Sequence, residues 1–142
     1  YNVSSQVLVQ LSTLKNKPKN MILMFQKEFA FRLLDINLNS INALVNCFYD
    51  VKLRFNVSKN CFRPIPKVNS SILTFVKKEK FLLKEVEIDK YINFKRKLFS
   101  HKRKTLKNVL KEHNLKGDFD LNLRVEKLTL PSLINIFREI NV

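Results

Sequence analysis

Phe62 stands two residues ahead of Pro64 and four ahead of Pro66 in CFRPIPKVNSS (61–71), and Lys67 follows directly. Each proline fixes its own φ and restricts the residue before it, so the stretch is held extended and a ring carried on it is displayed in one orientation. A pre-oriented ring is what stacking on a base drawn out of its helix requires. A core aromatic on a rigid connector would look the same in sequence. A second chemical feature runs from Lys90 to Lys111, which holds nine Lys or Arg and no Asp or Glu. The spacing predicts a helix over 103–113 on which Arg103, Lys107 and Lys111 recur every four positions, with Leu106, Val109 and Leu110 on another face. Such a helix packs by one side and offers the other to a phosphate backbone. Lys67, Lys95, Arg96, Lys102, Arg103, Lys104, Lys107 and Lys111 are the candidate nucleic-acid contacts. The run by itself does not distinguish RNA from DNA.

Composition narrows the alternatives. The 142 residues carry 27 Lys and Arg against 12 Asp and Glu, a net charge of +15, which makes a polyanion the leading partner. At 45% hydrophobic the chain can bury a core, so general disorder is excluded. No apolar run approaches the roughly 18 residues of a membrane span, and no signal peptide is visible, so a cytoplasmic protein with no membrane partner is expected. Cys47 and Cys61 fit no zinc spacing and read as two reduced thiols. His101 and His113 stand singly in basic surroundings, and no metal site is expected. The chain has one glycine, Gly117, and so cannot build a glycine-rich loop of the kind that cradles a nucleotide cofactor. Any cofactor-binding residues are expected outside this chain.

The elements that must position these residues follow from periodicity. Ser4 and Ser5 ahead of Val7, Leu8, Leu11 and Leu14 predict a capped amphipathic helix, broken by KNKPKN. MILMF (21–25) is a continuous apolar run, the pattern of a strand buried on both faces of a parallel sheet. A helix over 26–34 places Phe29, Leu33 and Leu34 on one side, and a second is expected over 40–48. Alternation of Val51, Leu53, Phe55 and Val57 marks a strand over 50–57, and 71–78 marks another. Beyond residue 88 only helices are expected, over 88–99, 103–113 and 131–140. The fold class is therefore α/β followed by all-α, with the change near Lys77–Val86.

Five segments, in order, resemble the rRNA adenine N6-dimethyltransferases. YNVSS at the start resembles the end of their Asn-Leu-Pro-Tyr-Asn-Ile-Ser-Ser segment, and MILMFQKEFAFRL resembles their Met-Val-Leu-Met-x-Gln-Lys-Glu-Val-Ala-x-Arg-Leu. FRPIPKVNSSIL resembles Phe-x-Pro-x-Pro-Lys-Val-Asp-Ser-Ala-Val. LFSHKRKTLKNVL and RVEKLTL resemble the family's Leu-Phe-x-x-Arg-Arg-Lys-Thr-Leu-x-Asn-x-Leu and Arg-x-Glu-x-Leu-Ser-Leu. Gln6 stands where the family has proline, and Asn69 where it has aspartate.

The resemblance implies a small-subunit (16S) rRNA dimethyltransferase that places two methyl groups on N6 of adjacent adenines, with S-adenosylmethionine as donor. It implies that Tyr1 and Phe62 are the adenine-stacking aromatics and that rRNA in a pre-30S particle is the partner. Residues 1–80 would be the C-terminal part of a Rossmann-like methyltransferase domain, and 81–142 a small helical RNA-binding domain. The cofactor-binding half would lie upstream of Tyr1, so the chain taken alone is expected to be inactive, a fragment or split-gene product. Its remaining three strands should form a small mixed sheet with the edge at 21–25 bare, open to self-association. The alternatives are a non-catalytic RNA-binding or ribosome-assembly module and a relative of the mitochondrial transcription factors of the same family.

Overall fold

The computed structural model describes residues 3–140. Helix α1 (Ser4–Thr13) begins after Val3, and Ser4 and Ser5 lie inside its first turn, where neither caps it. Leu8 and Ser12 form its buried edge. Strand β1 (Asn20–Gln26) runs into α2 (Lys27–Leu34), and α3 (Asn42–Val45) leads to β2 (Tyr49–Val57). Strand β3 (Ser70–Lys77) then enters the middle of a three-stranded sheet ordered β1-β3-β2.

Both pairings are antiparallel, so the sheet is not mixed as expected. Strand β1 and most of β3 also alternate in burial. Met21 and Phe25 of β1 are buried beside Phe75 and Leu73 of β3, on the face that α2 covers. Phe29 of α2 meets Phe25 edge-on, with ring centroids 4.9 Å apart. On the opposite face Ile22 is 73% exposed, and Met24 and Val76 are exposed too. The continuous apolar run of β1 therefore does not report burial on both faces in this chain. β1 is an outer strand, as expected.

Strand β2 departs from simple alternation. Leu53 pairs with Leu73 but Phe55 pairs with Ile72, so Arg54 is an extra residue. Such a bulge turns all later side chains over. Phe55 thus joins the uncovered face, 58% exposed.

The link between α2 and α3 is wound about Asn42, which is buried. Its Oδ1 accepts from the Asn39 N–H at 2.8 Å, and its Nδ2 donates to the carbonyls of Arg32, Asp35 and Asn37. One amide thus satisfies a tight loop that contains no glycine. The expected helix over 40–48 reduces to one turn, yet Ile41, Leu44, Val45 and Phe48 are all buried.

Past Lys80 the elements are α4 (Ile88–Ser100), α5 (Leu106–Val109) and α6 (Leu130–Ile140). The Tyr91 hydroxyl of α4 donates to the Ala43 carbonyl at 2.6 Å. Arg138 of α6 grips both carboxylate oxygens of Glu87, each at 3.1 Å. Phe48 and Phe75 belong to the same buried cluster as Tyr91, Leu98 and Phe137, so one core runs through both parts of the chain. Among the described residues no helix is long and apolar enough to cross a membrane.

The helix expected over 103–113 is only α5. The N–H groups of Leu106 and Lys107 donate to the carbonyls of Leu123 and Leu121, each at 2.8 Å. Thr105, extended at φ −69° and ψ 156°, pairs with Arg124 in an isolated bridge. That pairing with 121–124 takes the donors an earlier helix start would use, and residues 101–103 form turns and 104 a bend instead.

Candidate nucleic-acid interface

The Phe62 loop is braced from both ends. Ser58 Oγ accepts from the Asn60 N–H at 3.2 Å, starting a single 3-10 turn at Lys59–Cys61. Asn69, from the far side of the loop, accepts from the Lys59 N–H at 2.9 Å through Oδ1. The Asn69 carbonyl accepts from the Lys27 N–H at 3.0 Å, tying the loop to the start of α2. An aspartate could accept the same bond from Lys59, so asparagine at 69 keeps the brace. Arg63 donates to the carbonyls of Asn60 and Phe62. Phe62 itself is half-buried with extended backbone, φ −114° and ψ 152°. It belongs neither to the buried core nor to the side chains packed against that core. Among the described residues its ring meets no other aromatic ring. Lys67 is exposed on the same loop. Tyr1, the other expected stacking residue, lies outside the described residues.

The basic residues fall into three groups. Lys102, Arg103 and Lys104 line one open groove of about 700 Å³ with Ser100, His101 and Arg124. Lys95 and Arg96 line a separate cleft between α1 and α4. Lys107 and Lys111 are exposed but line neither. Because α5 is one turn long, Arg103, Lys107 and Lys111 do not share a helical face. The apolar partition does hold, since Leu106 and Leu110 are buried and Val109 packs against the core. Arg124 joins the open groove from outside the basic run. Its signal was its place in RVEKLTL, the segment that bridges back to Thr105.

Cys47 is buried and Cys61 exposed, and both are free thiols. Burial pushes the Cys47 thiol up to about 12, which makes it inert as a nucleophile.

Gly117 does not fit a cofactor-cradling loop of the kind that holds S-adenosylmethionine. The N–H of Gly117 is taken by Glu139 Oε1 at 2.8 Å. A β-carbon on this glycine would meet the Phe119 ring at 2.5 Å. The glycine makes room for that ring and forms no cradle.

The family model for ribosomal RNA adenine dimethylase matches residues 1–141. Ribosomal RNA small subunit methyltransferase A of Hydrogenobaculum sp. is 31% identical over 143 residues, covering 99% of this chain and 55% of that protein. The corresponding protein of Mesoplasma florum is 28% identical, over 96% of this chain and 54% of its own length. The chain thus spans about half the length of the curated relatives it matches. Among solved structures, a dimethyladenosine transferase from Plasmodium falciparum superposes with a TM-score of 0.85 at 28% identity, over 99% of this chain and 64% of that one. The 23S rRNA methyltransferase ErmE shares the fold, with a TM-score of 0.70 at 15% identity over 100% of this chain and 62% of its own. The chain belongs to the ribosomal RNA adenine dimethylase family.

Proposed function

We propose that this chain forms the RNA-facing part of a small-subunit rRNA adenine N6,N6-dimethyltransferase acting in the cytoplasm on two adjacent adenines of a pre-30S particle. The observation that carries the reading is the placement of Phe62: a large aromatic on a braced loop, outside the core and, among the described residues, with no ring beside it. The exocyclic amine of adenine is a poor nucleophile because its lone pair is delocalised into the ring. Catalysis then rests on positioning, and a fixed ring stacked on the extruded base supplies it. Tyr1 serves as the second stacking aromatic of the complete enzyme. Residues 1–80 act as the C-terminal part of a Rossmann-like domain and 81–142 as the RNA-binding part. Lys67, the groove of Lys102, Arg103 and Lys104, and the exposed Lys107 and Lys111 hold backbone phosphates.

S-adenosylmethionine supplies the methyl groups in the complete enzyme. This chain alone neither binds it nor transfers methyl groups. In the complete enzyme Phe62→Ala slows dimethylation while RNA affinity falls little, since phosphate contacts dominate affinity. Turnover equal to wild type would reduce Phe62 to packing.

The uncovered apolar sheet face around Ile22 and Phe55, beside the bare edge of β1, favours self-association of the chain taken alone. Light scattering at rising concentration tests this, and a monomer throughout would overturn it.

A further inference from the structure

Between α1 and α4 lies a cleft of about 450 Å³ whose polar lining is Ser5, Gln6, Gln10, Ser40, Lys95 and Arg96. Lys95 is only 6% exposed. Among the described residues its ammonium makes one hydrogen bond, to Ser40 Oγ at 2.9 Å. Neither of the two ion pairs among the described residues includes it, and no Asp or Glu lines the cleft. A buried ammonium with a single neutral partner is costly, because buried charges are ordinarily paired. Burial, and after it the Arg96 charge, lower its pKa to about 8. The site is one anion short.

We propose that this cleft binds one backbone phosphate of an RNA strand, with Lys95 as the buried charge, Arg96 as the exposed fork, and the Ser5 and Ser40 hydroxyls and Gln6 amide as further donors. Several donors lining one cleft suit the oxygens of a phosphodiester. The strand assignment follows from α4. Arg96 of this cleft and Ser100 of the basic groove are four residues apart on the helix, about 6 Å along its axis and on the same side. One strand can pass from groove to cleft. The identity of that strand rests on the function proposed above, whereas the phosphate site stands on its own geometry.

The test titrates inorganic phosphate into 15N-labelled protein at constant ionic strength, and in parallel a single-stranded oligoribonucleotide. The expected result is saturable shifts at Ser5, Gln6, Lys95 and Arg96 with phosphate. Lys95→Met should weaken phosphate binding at least tenfold and oligoribonucleotide binding at least fivefold, and raise the melting temperature by removing the unpaired charge. Arg96→Gln, an exposed position, gives the same loss of phosphate binding should Lys95→Met not fold. Unsaturable shifts, or phosphate affinity unchanged in both variants, would overturn the site. Phosphate binding lost in Lys95→Met with oligoribonucleotide binding intact would overturn the RNA assignment and leave a free-phosphate site. Failure of Phe62 to act on adenine alters neither phosphate result, so the two readings fail separately.

Discussion

Asn69 Oδ1 accepts the Lys59 N–H at 2.9 Å, and this bond closes the loop that displays Phe62. Asn69→Ala removes the acceptor while leaving the carbonyl of residue 69 bonded to Lys27. We expect the fold to survive, with a loss on the order of 1 kcal/mol. Stacking on adenine should weaken as the ring loses its fixed orientation. Asn69→Asp, which keeps an acceptor, should bind RNA as wild type does. Equal stacking in the alanine variant, read from the fluorescence of a 2-aminopurine base, would show that the prolines alone hold the ring.

The open groove carries a salt-dependence prediction. Reversing Lys102, Arg103 and Lys104 to Glu should flatten the slope of log affinity against log salt, by about 0.7 for each single-strand phosphate no longer neutralised. Reversing Lys107 and Lys111, which line neither groove nor cleft, should change it less. The circular dichroism spectrum should hold in both, because all five side chains are exposed. Identical slopes would mean that a solvated charged surface, with no groove, accounts for the run.

Stability should depend on pH through Lys95. Its folded pKa of about 8 lies below the ordinary 10.5, so between these values the unfolded chain holds the extra proton. Stability therefore rises with pH across that window, by on the order of 3 kcal/mol at most, and the burial penalty is constant below it. Arg96 adds to the depression and Cys47 opposes it. Chemical denaturation of wild type and Lys95→Met at pH 7.5 and 10 separates this from the general relief of positive charge. The gap between the two proteins should narrow at the higher pH. A constant gap would place the Lys95 ammonium in contact with solvent.

The strands, the Phe62 loop and the basic run were legible because each rests on local chemistry: alternation, fixed φ angles, like charge. What was not legible depended on distant neighbours. The apolar run of β1 implies two buried faces only if something covers the side bearing Ile22 and Met24. Arg54 gives no local sign that it will bulge and carry Phe55 to the other face. The helix expected from residue 103 starts only at Leu106 because the carbonyls of Leu121 and Leu123 take the N–H groups an earlier start would use, a pairing invisible within 103–113. Lys95 is one candidate contact among the nine charges of the run, and its burial depends on the packing of α4 against α1 and Ser40.

Phe62 is the centre of the account, and its stacking on adenine can be read directly. An oligoribonucleotide carrying 2-aminopurine at the target adenine is titrated with wild type and with Phe62→Ala at fixed salt, following base fluorescence and total affinity together. Quenching is expected on binding wild type, as the ring stacks on the extruded base, and strongly reduced quenching with the variant. Binding of the base itself should weaken by about 1–3 kcal/mol. Equal quenching by the two proteins would contradict the stacking and return Phe62 to a structural role.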